Sequence, residues 1–216
     1  MSDSRFRNIA VIGAGTMGSG IAAQIANAGH QVLLLDLAAR DGAEKSPAEM
    51  AIDRLLASDP PQLMHKRNAG SITTGTISDD FDKLADCDWI IEAVVERLDI
   101  KKDLYARLHA TIGPDCIVSS NTSTIPISLL VEDMPADFRK RFAITHYFNP
   151  VRYMRLLELV RGADTEDAVI DGGEGTDMLS FYAEYQYGSA IGYGINTAVT
   201  IDMTSLGNAT NFENLE

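Results

Sequence analysis

Asn8-Ile-Ala-Val-Ile-Gly-Ala-Gly-Thr-Met-Gly-Ser-Gly-Ile-Ala-Ala-Gln-Ile-Ala-Asn-Ala-Gly-His-Gln-Val-Leu-Leu-Leu-Asp36 is the stretch that decides the fold. Ile9, Val11 and Ile12 form a short β-branched run suited to a buried parallel strand. Gly13, Gly15 and Gly18 follow at G-x-G-x-x-G spacing. The first glycine suits a tight turn, the second lets a pyrophosphate approach the backbone, and the third lets a helix lie against the strand. Met17, Ile21, Ala22 and Ile25 then recur at helical spacing, and Gly29 is placed to stop that helix. A helix from about Thr16 to Ala28 would point its free N–H groups at a phosphate lodged near Gly13, Ala14, Gly15, Thr16, Met17 and Gly18. A second apolar strand, Val32 to Leu35, ends in the acid Asp36.

This order of strand, glycine turn, helix, strand and acid predicts an α/β fold of Rossmann type, a doubly wound and mostly parallel sheet that binds a dinucleotide. Asp36 selects among dinucleotides. A carboxylate accepts hydrogen bonds from a ribose 2′-hydroxyl and repels a 2′-phosphate, so NAD is favoured over NADP. Arg40, four residues on, weighs the other way.

The rest of the composition is consistent with one sizeable globular unit. The chain has 216 residues, 45% of them apolar and 23% charged. A net charge of −13 argues against nucleic acid and anionic membrane surfaces as partners. Cys87 and Cys116 are too few for a metal or disulfide framework, so no metal is expected and a reducing compartment, the cytoplasm, is the simple reading. Arg5 and Arg7 precede an apolar run, but its glycines make a secretory signal a poor reading.

Further along, Pro47 to Ala57 reads as a helix with Met50, Ile52, Leu55 and Leu56 as its apolar face. His65-Lys66-Arg67 is either a solvated basic patch or a contact for a phosphorylated substrate, the patch being the simpler reading. Ile72 to Thr74 and Trp89 to Ala93 read as strands, and Asp79 to Ala85 as a short helix. Ile100, Leu104, Leu108 and Ile112 put a core-facing stripe on a helix from about Leu98 to Ile112. Lys101 and Lys102, in its first turn, should lie beside a ligand or in water. A strand from Ile117 runs into Ser119-Ser-Asn-Thr-Ser-Thr124, either a ligand site at a strand end or a set of helix caps before Ile127 to Val131. Two more strands are predicted, Phe142 to Thr145 and Leu156 to Val160. The second holds Glu158, whose carboxylate needs a partner, and His146 is the natural one.

Four segments together carry a family resemblance: the Gly13-to-Gly18 fingerprint, Ile91-Glu-Ala-Val-Val-Glu96, Ser120-Asn-Thr-Ser123 and His146-Tyr-Phe-Asn-Pro150. They resemble the NAD-binding domain of L-3-hydroxyacyl-CoA dehydrogenases, above all the long bacterial fatty-acid-oxidation type, over about Asn8 to Gly162. The resemblance implies an oxidoreductase that converts an L-3-hydroxyacyl-CoA to the 3-ketoacyl-CoA, with NAD as cofactor and an acyl-CoA as small-molecule partner. It implies that His146 is the general base, that Glu158 orients it, and that Ser123 hydrogen-bonds the substrate oxygen near the nicotinamide. Glu96, Lys101, Ser123 and Asn149 would line the cofactor. By itself His146 reads equally as a satisfied histidine at a strand end, and Glu158 as the partner of Arg152 or Arg155.

After Gly162 the resemblance stops. Family members continue into a Pro-Gly-Phe segment and an all-helical domain carrying dimer contacts, whereas the last proline here is Pro150. Residues 163–216 contain no Lys, Arg or His and ten acids, which leaves −3 for residues 1–162. The expected division is therefore a Rossmann domain over 1–162 and an acidic tail over 163–216 that does not match the family. A frameshift, a fusion, an alternative terminus or a mis-assembled gene would each produce such a tail. Within it, Gly172-Gly-Glu-Gly175 reads as a joint. Tyr185 to Ile201 is an uncharged run of 17 residues, too short and too rich in polar groups for a good membrane span. Without the helical domain, a homodimer is doubtful. A second function then stands beside the first: an NAD-binding module with little or no catalysis. A third, another 3-hydroxyacid dehydrogenase, is opposed by His146-Tyr-Phe-Asn-Pro150.

Overall fold

The structure is a computed structural model and describes residues 6–40 and 42–169. The expected joint at Gly172 to Gly175, the run from Tyr185 to Ile201 and a strand-like Thr197 to Thr200 lie outside the described residues.

Seven strands form one sheet. They are β1 (Ile9–Ile12), β2 (Val32–Asp36), β3 (Ile72–Thr76), β4 (Trp89–Glu92), β5 (Ile117–Ser120), β6 (Phe142–Tyr147) and β7 (Leu157–Arg161). Their spatial order is β3-β2-β1-β4-β5-β6-β7. The first six are parallel, and only β7 runs antiparallel, against β6. The doubly wound, mostly parallel sheet expected from the sequence is thus the observed one.

Among the described residues, five α-helices cover the sheet: α1 (Thr16–Asn27), α2 (Pro47–Ala57), α3 (Leu98–Thr111), α4 (Ile127–Leu130) and α5 (Ala136–Lys140). Strand residues alternate between two cores, as the two-residue period of a strand requires. Ile9, Val11, Val32, Leu34 and Ile91 pack with Ile21, Ile25, Ala51 and Leu55 of α1 and α2. Ala10, Ile12, Leu35, Ile90 and Val118 face the other way, onto Leu104, Tyr105 and Leu108 of α3 and Phe138 of α5. Both faces are covered, which explains why the parallel strands read as continuous apolar runs.

Helix α2 starts as its sequence suggests. Ser46 accepts a hydrogen bond from the Glu49 N–H at 3.3 Å, and the Glu49 carboxylate accepts one from the Ser46 N–H at 2.8 Å. This capping box satisfies two donors that the first turn would otherwise leave bare. The expected apolar face needs correction. Met50 and Leu56 are exposed, and the buried positions are Ala48, Ala51 and Leu55. The small alanines let α2 lie close to its neighbours, so the larger apolar side chains beside them turn outward. Helix α5 has no counterpart in the expectations above. With five residues, it is too short to show a period.

The described residues past Gly162 fold back on the sheet. Thr165 is buried, and its hydroxyl donates to the Phe142 carbonyl at 2.7 Å. Asp164 pairs with Arg139, Glu166 with Lys140 and Asp167 with Arg161.

Candidate active site

In the strand order, the chain crosses from one side of the sheet to the other between β1 and β4. A crevice opens at such a switch point, at the carboxyl ends of the strands. The glycine turn forms its near wall. Gly13 has φ of +104°, and a Cβ there would stand 2.4 Å from the Ala93 carbonyl oxygen. A Cβ on Gly18 would fall 1.7 Å from the Gly13 carbonyl oxygen. Gly15 differs, since a Cβ there would meet nothing within 4 Å. Gly15 also begins α1 without any side-chain cap, and the first turn of that helix carries no acid. The first N–H groups of a helix have no intrahelical partner. Here they lie at the positive end of the helix dipole, beside a glycine open to space, which is the environment an anion needs.

Asp36 closes β2 beside this turn. Its carboxylate accepts from the Ala14 N–H at 2.5 Å and from the Leu37 N–H at 2.6 Å. Each oxygen keeps lone-pair capacity for a further donor. From α2, the Arg54 guanidinium donates to the Ala14 carbonyl at 2.8 Å, so the turn is held from both sides.

A cleft of about 370 Å³ runs on from the turn. Of the residues expected to touch a cofactor or substrate, Met17, Glu96, Lys101, Ser123, His146 and Asn149 all line it. They come from the first turn of α1, the loop after β4, helix α3, the loop after β5 and the end of β6. Gly13, Ala14, Gly15, Thr16, Gly18 and Asp36 belong to the turn at its end, and Met17 joins the two regions. Glu158 stands behind His146. The antiparallel register of β6 and β7 sets His146 opposite Glu158, and His146 Nδ1 lies 2.8 Å from Glu158 Oε2. Both side chains are largely shielded, with 19% and 17% exposed. The Phe148 ring packs on the imidazole with centroids 4.5 Å apart. The Arg152 alternative is not what the structure shows, because Arg152 donates to the carbonyls of Pro61 and Leu63.

Of the two places expected for Lys101, water is excluded, since its side chain is 1% exposed; it lines the cleft wall instead. Its ammonium lies 2.7 Å from Glu92 and 3.3 Å from Glu96. Glu92, which the sequence did not mark beyond its place in a motif, has no exposed surface at all. Burial works against the charge on Glu96, yet hydrogen bonds from Thr122 and Thr124 and the charge of Lys101 hold its carboxyl below the ordinary range. Asn121 was likewise unmarked as an individual. Its side-chain oxygen accepts from the Tyr147 N–H at 2.9 Å and ties the end of β6 to the loop after β5. The His65-Lys66-Arg67 cluster is exposed and does not line the cleft.

These features define a dinucleotide-binding domain: a glycine turn with one glycine open to space, an uncapped helix start, an acid at the next strand end and a cleft at the switch point. Similarity to known proteins narrows the class. Residues 8–175 match the family described as "3-hydroxyacyl-CoA dehydrogenase, NAD binding domain". A "Probable 3-hydroxyacyl-CoA dehydrogenase" of Deinococcus radiodurans is 39% identical over 188 residues, covering 87% of this chain and 53% of that protein. The "Fatty acid oxidation complex subunit alpha" of Colwellia psychrerythraea is 37% identical over 162 residues, covering 74% of this chain and 22% of that protein. The crystal structure of a 3-hydroxybutyryl-CoA dehydrogenase from Escherichia coli K12 superposes with a TM-score of 0.66 at 34% identity, over 77% of this chain and 34% of the other. The chain belongs to the family of 3-hydroxyacyl-CoA dehydrogenase NAD-binding domains, and NAD is its cofactor. It spans about half or less of the length of these relatives. Among the described residues no helix is long and apolar enough to cross a membrane, and no group of His, Cys, Asp and Glu is arranged to hold a metal ion.

Proposed function

We propose that this domain performs the redox step of an L-3-hydroxyacyl-CoA dehydrogenase, oxidising the 3-hydroxyl of an acyl thioester to the ketone in fatty-acid β-oxidation. The observation that carries this reading is the His146–Glu158 pair, held at 2.8 Å in the same cleft as the first turn of α1. The bound nicotinamide supplies the hydride acceptor. The chain supplies the rest. Contact through Nδ1 leaves Nε2 of His146 to take the hydroxyl proton, and the same nitrogen returns it in the reverse direction. Glu158 fixes the ring orientation and stabilises the imidazolium once formed. Ser123, exposed on the loop after β5, donates to the substrate oxygen. Asp36 accepts from the adenosine ribose, and the N–H groups around Gly15 hold the diphosphate. The reducing environment of the cytoplasm suits two free, buried cysteines, Cys87 and Cys116.

The test is NADH formation from NAD and 3-hydroxybutyryl-CoA, followed by absorbance. Replacing His146 with Ala is expected to remove about 10²–10⁴-fold of the rate, the usual worth of a general base, with NADH affinity retained. Equal rates in wild type and His146→Ala would overturn the assignment. A second reading, a module that holds NAD and turns over little, is favoured by the open substrate side of the cleft, where Ser123 and Asn149 are exposed. NADH binding without turnover in the wild-type chain would select it.

A further inference from the structure

Four donors converge on Glu92 at the carboxyl end of β4. The Lys101 ammonium donates to Oε1 at 2.7 Å, and the Val94 N–H to the same oxygen at 2.8 Å. The hydroxyls of Tyr105 and Ser120 each donate to Oε2 at 2.6 Å. Lys101 and Tyr105 are four apart on α3, so they share a helix face, and that face is laid on the end of β4. Burial and the Glu92 charge push the Tyr105 phenol well above its ordinary range, so it remains a donor at neutral pH. A buried carboxylate left short of partners would be costly, and a merely structural site would be better filled with apolar side chains. Here the network ends at the cleft, because Lys101 both pairs with Glu92 and lines the cleft wall.

We propose that Glu92 is a positioning residue for the cofactor: locked by Tyr105 and Ser120, it fixes the Lys101 ammonium at the floor of the cleft. A lysine side chain carries rotamer entropy that a free lysine would lose on engaging a ligand. Pinned between Glu92 and Glu96, Lys101 has already lost it. An ammonium has three N–H donors. Two are directed at Glu92 and Glu96, and the third is left for a polar atom of the dinucleotide. Glu92 touches no ligand itself and acts through Lys101. This inference rests on the cleft being the NAD site.

The experiment is a double-mutant cycle on the full 216-residue chain, with NADH affinity read by fluorescence titration and folding by thermal melting. Glu92→Gln and Lys101→Met are each expected to raise the NADH Kd roughly tenfold, and the double variant is expected to bind no more weakly than Lys101→Met alone. A purely structural role for Glu92 would instead multiply the two losses, to roughly 100-fold, and that result overturns the proposal. NADH binding by Glu92→Gln or by Lys101→Met at wild-type affinity overturns it equally. Should Glu92→Gln fail to fold, Tyr105→Phe and Ser120→Ala each remove one lock and keep the carboxylate. They are expected to raise Kd by a few-fold in the wild-type background and not at all beside Lys101→Met; an equal loss in both backgrounds contradicts the proposal. A wild-type chain that does not bind NADH is a different result, since it removes the cofactor reading and this inference with it.

Discussion

Gly13, Gly15 and Gly18 share one motif and do different work. At Gly13 the backbone itself demands glycine, and at Gly18 the carbonyl of Gly13 occupies the place of a Cβ. At Gly15 a Cβ would meet nothing within 4 Å, so the fold does not demand glycine there, and contact with the dinucleotide is the role proposed for it. Gly18→Ala is therefore expected to lower the melting temperature steeply or prevent folding. Gly15→Ala should fold and lose no more than about 1 kcal/mol of stability, since glycine caps a helix better than alanine, and lose NADH affinity. Melting curves and NADH titration of the two variants would check this, and equal stability would contradict it. The cysteines give a second expectation. Burial pushes the Cys87 thiol up to about 11 and the Cys116 thiol up to about 12, so neither forms thiolate at neutral pH. Iodoacetamide should leave the native chain unlabelled and label both in denaturant, as read by mass spectrometry. The glycines and Asp36 were legible because they fall at fixed places in one strand, glycine turn, helix, strand and acid pattern. Glu92 was not, because its side-chain partners lie 9, 13 and 28 residues away and only the fold assembles them.

Among the elements, α2 shows what local chemistry settles by itself. Pro47 at the start and the Ser46–Glu49 box fix its beginning, and its observed bounds are those expected from sequence. Ser46→Ala is expected to cost about 1 kcal/mol in a urea titration, without changing NADH affinity. Which of its apolar residues face inward was not legible, because Met50 and Leu56 lose to Ala48 and Ala51 on closeness of packing. Lys101 illustrates the same limit on α3, where a cation in a first turn reads as lying beside a ligand or in water, and nothing local marks its buried pairing with Glu92. The loop between β4 and α3 carries a pH dependence. Glu96 titrates below its ordinary value of 4.5 in the folded chain, so it binds protons less readily folded than unfolded. Its contribution to stability is complete above that value and is lost as pH falls through the lowered one. Acid unfolding followed by circular dichroism should therefore be less steep in Glu96→Gln than in wild type.

At the scale of the whole molecule, the parallel order of six strands brings the cleft-lining candidates to one edge. Met17, Glu96, Lys101, Ser123 and His146 are spread over 130 residues of chain and line one cleft, because each follows or opens at the carboxyl end of a parallel strand. That much was legible, since the strand runs and the glycine turn define the winding. The antiparallel return of β7, which delivers Glu158 to His146, was legible only as a need for a partner. The dinucleotide is expected to span this edge from Asp36 to His146. A crystal structure of the chain with NAD bound decides the matter. The ribose should lie at Asp36, the diphosphate against Gly15 and the nicotinamide ring between Ser123 and His146. A dinucleotide seated elsewhere, or a ring turned away from the imidazole, would contradict that expectation.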